Sequence, residues 1–517
     1  MAMVKSDKSD RFTNLPRSLA LNLPEDGGDA MGDSQWTETR QVLTSQFSQR
    51  TARFLLPRSG VLSADSFVTY KIVGSQDNMF LPVATGALSC IESATLSVGG
   101  TVIAQTRALN QRYTMTTNFR TQRGKALQQS IRTGVTDCIA VATNGVNQVP
   151  LAVPASSGKW GIDISNEFIS SVDGDNALIN QAYRISNNAS KTPEWRIYLS
   201  DLFPGMQFFH LPLQLMEQVT LQISWAPDTQ NGQRVLVDPN VAIGGIWSTG
   251  NNIDQASCIF HCTLLHWDDP IDGRKTTMER LEDELEAGLT LVYTDDAHIR
   301  VEQAAQQQGS GAGGSSRTSA LLGLDGETVR TVMIATPNAP NFAQGSTPAN
   351  RNTNFLMGPY HSEGSRLAQE MQLTINSKPV FPIAINRPSE QYAELSQIFP
   401  VPAAINSARF THLGQVVAAT GAGNDALSRL TSLTFNGIQQ NGSFQGTSNY
   451  YGVNLSSTYS NSIGAGTRIN AHNPVVLDLE MQGAAGVAAL RQKIVLVWAV
   501  LERVMQIRGQ KVMVTGS

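Results

Sequence analysis

Charge is scarce in this chain: 15% of its 517 residues are Asp, Glu, Lys or Arg, and the formal net charge is −4. A chain with that balance has no bulk attraction for nucleic acid. Its N-terminal stretch supplies no local one, because Lys5, Lys8, Arg11 and Arg17 are interleaved with Asp7, Asp10, Glu25, Asp26, Asp29 and Asp33. A genome-neutralising arm is thereby excluded, and no direct sequence-specific nucleic-acid binding is expected. Cysteine is equally sparse. Cys90, Cys138, Cys258 and Cys262 are too few for a disulfide framework and fit a reducing compartment. Long apolar runs are missing too. The longest, Ile494 to Leu501, is bounded by Arg491, Lys493, Glu502 and Arg503, far short of the ~20 residues of a membrane span. No apolar signal core opens the chain, so it is expected to be made and assembled inside the cell. Without secretion, the glycosylation patterns at Asn188 and Asn441 carry little weight.

Catalytic signatures are absent as well. The sequence has no Gly-x-Ser-x-Gly elbow, Walker A loop, His-Glu-x-x-His or dinucleotide fingerprint, and Gly124-Lys125 and Gly158-Lys159 lack the rest of a phosphate loop. The seven histidines are scattered singly, with no His-x-His pair. One local cluster exists, Cys258, His261, Cys262 and His266. On a strand, Cys258, Cys262 and His266 share a face, but their Cα atoms spread over ~27 Å at the usual rise. A tetrahedral zinc cannot gather ligands so far apart without a bend. The cysteines read as buried core residues, and no metal, cofactor or catalytic residue is expected. Asp268-Asp269 and Asp295-Asp296 are adjacent pairs, which a strand would point to opposite faces. They read as solvated turn charges. Trp195, Trp225, Trp267 and Trp498 sit in strand patterns and read as core.

What the chain does have is glycine, 43 residues, and proline, 22, spread along its length. That is the composition of many strands joined by long polar loops. One unit occurs twice. Leu96 and Val98 alternate, Gly99-Gly100 provides a two-residue turn, Val102 and Ile103 return, and a helix is expected over 108–119. In the second half Leu373 and Ile375 alternate and Asn376-Ser377 turns the chain. Pro388 then opens a helical spacing of Tyr392, Leu395 and Phe399. The same element order in both halves indicates duplication of a β-rich domain, and 517 residues suit two domains rather than one core.

In chain order, residues 1–37 form a polar arm whose Phe12, Leu15, Leu19 and Leu21 could order against a neighbouring subunit. Strands are expected at 66–73, 194–199, 219–225 and 258–267, completing a first domain over 38–270. Residues 271–287 form an acidic linker with a short helix around Arg280 to Glu286. The second domain, 288–517, has strands at 288–293, 328–336, 371–375, 430–435, 474–480 and 493–500, and Val504, Ile507 and Val512 extend the last. Residues 120–190, 226–255, 303–319 and 436–472 read as long loops. About eight short strands per half with long crossing connections predict an all-β chain. It would be two tandem eight-stranded jelly-roll sandwiches with short inserted helices.

Four stretches resemble one family. Ser97-Val-Gly-Gly-Thr-Val-Ile103 is similar to an alternating strand, Gly-Gly turn and return strand ahead of a helix. Leu211 to Ile223 resembles a Leu-Pro-led entry to a long strand. Thr374 to Phe381 resembles a second-roll hairpin, and Val497 to Gly509 a closing strand ending in a basic-Gly turn. Together they resemble the double-jelly-roll major capsid proteins of double-stranded DNA viruses, the group of adenovirus hexon, virophages, Polinton-like viruses and nucleocytoplasmic large DNA viruses. That group's Pro-Ser-Gly-type motif is matched at most by a degenerate version at Tyr451 to Leu455 and Ile463 to Ile469. The resemblance implies a homotrimer of pseudo-hexagonal outline, tiling an icosahedral shell in the virion, with penton and minor capsid proteins as further partners. Two other readings share the architecture: a two-domain β-sandwich binding module, such as a lectin or attachment protein, and, more remotely, a bicupin enzyme.

Overall fold

The computed structural model describes residues 36–74, 79–80, 86–116, 139–144, 147–150, 159–162, 184–185, 188, 192–206, 211–227, 252–267, 289–303, 315–335, 365–386, 390, 393–394, 397–398, 450–456, 466–472, 474–483 and 493–516. The first half supplies eight principal strands. These are β1 (Trp36–Thr44), β2 (Thr51–Leu55), β3 (Phe67–Ile72), β4 (Ile91–Val98), β5 (Thr101–Thr106), β6 (Glu194–Tyr198), β7 (Val219–Trp225) and β8 (Ile253–Trp267). The second supplies β9 (Leu289–Gln303), β10 (Ser315–Leu322), β11 (Thr328–Ala335), β12 (Ser365–Ile375), β13 (Lys378–Pro379), β14 (Tyr450–Asn454), β15 (Val475–Gly483) and β16 (Lys493–Arg508). A last strand, β17 (Lys511–Gly516), pairs with β16.

The pairing is the same in both halves. In the first, one sheet runs β1-β8-β3-β6 and the other β2-β7-β4-β5. Adding eight to each number gives the second half, β9-β16-β11-β14 and β10-β15-β12-β13. Every ladder is antiparallel. First pairing with last, and fourth lying between fifth and seventh, is the crossing order of a jelly roll rather than a meander. The duplication inferred from two hairpins therefore extends to whole domains.

Local chemistry explains the turns. Gly99 and Gly100 have φ of 53° and 92°, so the β4–β5 hairpin uses residues that lack a Cβ where the backbone is left-handed. Asn376 and Ser377 occupy the matching turn with φ of 51° and 62°. There Asn376 is anchored outside the hairpin: its Oδ1 accepts from the Asn470 N–H at 2.8 Å and its Nδ2 donates to the Arg468 carbonyl at 3.3 Å. After the first hairpin comes the expected helix, α1 (Leu109–Thr116). Most of the matching stretch, 388–399, lies outside the described residues, as do the expected strand at 430–435 and the linker at 271–287.

Each roll has its own core. In the first, Phe54, Tyr70, Leu96, Trp195, Leu221, Trp225 and Phe260 are buried together. Tyr70 meets Trp225 edge-on at 5.0 Å, and its hydroxyl donates to the Ala87 carbonyl at 2.8 Å, so its polar end is satisfied inside the core. In the second, Val332, Leu373, Tyr451, Val453, Leu477 and Val497 pack between the sheets. Of the four tryptophans read as core, Trp195, Trp225 and Trp498 are buried, and the side chain of Trp267 lies outside the description.

Two expected loops contain strands. Residues 315–319, placed in a Gln/Gly/Ser loop, begin β10 and pair with β15 from Gln482 to Asp478. Ser and Thr hydrogen-bond through their backbone like any residue, so a partner strand overrides a loop-like composition. The 120–190 stretch carries a small sheet in which Ile139–Asn144 pairs with both Asn147–Pro150 and Lys159–Ile162.

Candidate functional site

The two rolls meet along a seam built by the longest ladder. β9 and β16 pair over fifteen residues, from Leu289↔Ile507 to Gln303↔Lys493, a length of roughly 50 Å. One strand pair of that length outreaches one sandwich. Leu291, Tyr293, Met505 and Ile507 are buried in the first core, with Val512 of β17. Val495, Val497, Ala499 and Leu501 are buried in the second, with Ala297, Ile299 and Val301 packed against it. The crossover falls at Thr294 to Asp296.

Polar contacts close the seam, and both faces of β9 take part. On one face the Tyr293 hydroxyl donates to the Ile103 carbonyl at 2.5 Å, and the Gln105 N–H donates to Asp295 Oδ1 at 3.1 Å. Both partners lie on β5, whose unpaired edge thereby gains a cover. On the other face the Thr294 hydroxyl donates to the Gly205 carbonyl at 2.8 Å, and the Arg112 guanidinium of α1 pairs with the Asp296 carboxylate. The Arg112 and Asp296 side chains are 11% and 2% exposed. At the far end the Glu217 N–H donates to the Gln510 carbonyl at 2.9 Å, and Arg58 donates to Gln510 Oε1 at 2.7 Å.

Asp295 and Asp296 are thus not solvated turn charges. They sit in mid-strand, where two domains cover them: the Asp296 side chain is all but inaccessible and Asp295 is half-buried. A strand does send them to opposite faces, as read from the sequence, but here each face is covered. Burial pushes the Asp295 carboxyl up to about 7, against the pull of its hydrogen bonds and of Arg503, with the Asp296 charge adding to the rise. Burial also raises Asp296, opposed by Arg112.

Gly205 completes the fit. A Cβ at this position would collide with the Asp296 carboxylate. The residue is reached through a four-residue helical turn, Leu199–Leu202, followed by Pro204. Its Asp201 accepts from the Tyr198 N–H at 3.2 Å and from the Tyr113 hydroxyl of α1 at 3.1 Å, so one buried carboxylate ties the turn to α1. Substituting Gly205 with alanine is expected to cost about 1–3 kcal/mol, because backbone or carboxylate must shift. A lowered melting temperature with unchanged secondary structure would be the reading, and an unchanged one would mean the seam yields freely.

The sequence-based candidates fall elsewhere. Phe12, Leu15, Leu19 and Leu21 lie outside the described residues. Cys258 and Cys262 are core residues of β8, and burial pushes both thiols up to about 12. His261 stacks on Phe67 at 4.5 Å, and His266 contacts the Thr39 hydroxyl of β1 at 2.9 Å. The cluster is thus divided between the core and contacts with β3 and β1. No group of three or more metal-ligating side chains is found among the described residues. Arg112, Gln105 and Gly205 were not singled out by sequence. Asp295 carried a signal: Leu291, Tyr293, Ala297, Ile299 and Val301 form a period-2 apolar stripe that Asp295 alone interrupts.

No family model and no curated protein matches the sequence. Solved structures do match in fold. VP54 of PBCV-1, fitted into a cryo-EM reconstruction of the virophage Sputnik, aligns with a TM-score of 0.52 at 10% identity, covering 94% of this chain and 97% of that one. A chain of the Sputnik virophage cryo-EM structure aligns with a TM-score of 0.51 at 12% identity, covering 97% and 92%. A chain of the PBCV-1 capsid aligns at 0.50 and 12%, covering 94% and 97%. The chain has the double-jelly-roll fold of viral major capsid proteins, over nearly its whole length.

Proposed function

We propose that this chain is a structural capsid subunit of a double-stranded DNA virus, without catalytic activity, and that three copies close into a pseudo-hexagonal capsomer that tiles an icosahedral shell. The observation that carries the reading is the repeated strand order joined by a buried seam. Two rolls of one topology present two similar wedges, and the β9–β16 ladder holds them at one fixed angle. Three such chains give six wedges around an axis, so each side of the ring can offer a near-equivalent contact. Two rolls on a flexible linker would not define that outline. The match to virus chains across more than nine-tenths of both sequences supports the same reading.

Assembly is then the mechanism. Burial inside each double roll makes the subunit stiff, while loops and the 1–37 arm make weaker contacts that add up over the shell. The partners are further copies of the chain, then neighbouring trimers, with penton and minor capsid proteins at special positions. The place of action is the virion shell.

The decisive test is the solution mass of the purified chain by light scattering, with negative-stain imaging of the main peak. We expect a species of three chains with a hexagonal outline. A monomer at every protein concentration and salt tried, with no ring or lattice, would overturn the capsomer and leave a two-domain binding module as the better reading.

A further inference from the structure

The seam inside the chain is one complete contact, and the chain carries its two halves a second time, unjoined. In the seam the first strand of the second roll, β9, covers the fifth strand of the first roll, β5. The shared pairing plan makes β1 the counterpart of β9 and β13 the counterpart of β5. Both counterparts are exposed in the single chain.

The contrast between β1 and β9 is sharp. From Thr290 to Val301 of β9, Arg300 alone is exposed, whereas Glu38 to Val42 and Thr44 of β1 are all exposed. Val42 is 59% exposed although it stands in mid-strand. On one face of β9, Ala297 and Ile299 pack against the second core, and Tyr293 and Asp295 continue that face to reach β5. On β1, Leu43 packs against the first core, and Gln41 and Thr39 continue the same face, opposite Cys262 and Leu264. Like Tyr293 and Asp295, Thr39 and Gln41 are polar side chains that can bond to backbone groups.

The counterpart of β5 has its own shape. In the first roll Val98 pairs with Thr101 and Ala94 with Thr106. The matching pairs of the second roll are Ile375 with Lys378 and Met371 with Ile385. This return leg is longer, and its extra length bulges where Ile103 and Gln105 take the seam contacts in the first roll. Gln372 holds the bulge in place: its Oε1 accepts from the Phe381 N–H at 3.2 Å, and its Nε2 donates to the Phe381 carbonyl at 2.8 Å. Val380 and Phe381 lean on the second core. Pro379, Pro382 and Ile383 are exposed, Ile383 by 79%, so this edge is apolar and outward. Its prolines lack the N–H that a further ladder strand needs. The edge is thus suited to a cover made through side chains, which is how β9 covers β5.

We propose that the β13 edge around Ile383 of one copy docks on Thr39 to Val42 of β1 in the next copy, repeating the seam between chains; this rests on the three-chain capsomer proposed above. The contact is heterologous. Each copy gives its β13 edge to one neighbour and its β1 to the other, so a fixed rotation closes a ring in which seams inside and between chains alternate.

The test places one cysteine on each side, Q41C and I383C, in the full chain and treats it with a short bis-maleimide. Cys90, Cys258 and Cys262 are buried, and the parent chain gives the background. We expect two-chain and three-chain species on a denaturing gel from Q41C/I383C. Either single variant should give background only, as should Q41C/L321C, because Leu321 is 69% exposed but lies on β10. In light scattering, I383E should dissociate at a concentration at least tenfold higher than the parent, and L321E at the same one. All these sites are exposed, so the variants are expected to fold, which circular dichroism checks. With a three-chain parent, background cross-linking in Q41C/I383C, cross-linking by I383C alone, or unchanged dissociation of I383E would each overturn this contact and leave the capsomer standing. A parent that stays monomeric throughout would overturn both.

Discussion

Replacing Arg112 with alanine is expected to destabilise the seam by about 3–5 kcal/mol, the usual cost of stranding one member of a buried ion pair. Asp296 is 2% exposed and would keep a charge without a counterion. The loss reflects that stranded charge more than the worth of the pair itself, because desolvating two ions takes back most of their attraction. The double variant R112M/D296L, which removes both charges while roughly keeping volume, should therefore recover most of the stability. The contrast between the two separates an electrostatic effect from lost packing. Hydrogen exchange gives the local readout. The amides of Tyr293 to Asp296 and of β5 should exchange faster in R112A, while those of β15, in the far sheet of the second roll, should change little. A loss below about 1 kcal/mol, or equal losses in R112A and R112M/D296L, would show that the pair does not hold the rolls together.

Much of this fold was legible because its signals are local. The Gly99-Gly100 turn, the Leu96/Val98 alternation and the Glu194–Tyr198 strand depend on neighbours in sequence, and each stands where periodicity placed it. β10 was misread over 315–319 because its Ser-Ser-Arg-Thr-Ser run is a strand only when β15 offers its edge. The seam was hidden for a related reason. An Asp-Asp pair is normally solvated, and its burial depends on α1, β5 and the Gly205 turn, which lie about 90 to 190 residues away. The interrupted stripe at Asp295 marked where one core ends and the next begins, but composition could not say that both faces there are covered. The comparison of strand orders supplied what periodicity could not: β1 to β8 and β9 to β16 follow one pairing plan.

Asp295→Asn is expected to remove a pH dependence that the parent chain carries in its seam. The Asp295 carboxyl stands at about 7 when folded, against 3.8 for an ordinary aspartate, so the folded chain holds this proton more tightly than the unfolded one. Its favourable contribution is complete below about pH 4 and is lost as pH rises towards 7, after which a half-buried carboxylate remains. At ~1.4 kcal/mol per tenfold change in proton affinity, the full effect is about 4 kcal/mol at most. Asparagine keeps the size and an oxygen that can accept the Gln105 N–H, but it cannot ionise. The variant should match the parent near pH 4 and exceed it by a margin that grows until about pH 7. His298 works in the opposite direction: its imidazole is held down to about 4 when folded, so its contribution is present above about 6.5 and is lost as pH falls. The two contributions change in opposite directions over nearly the same range, so the parent's stability should vary little between about pH 4 and 6.5, whereas D295N, left with the histidine alone, should gain stability as pH rises to about 6.5. Melting temperatures of both chains from pH 4.5 to 8.5 decide the matter. Parallel curves would mean that Asp295 is ionised throughout, and that the charge in the seam is carried by its hydrogen bonds and Arg503 rather than by a retained proton.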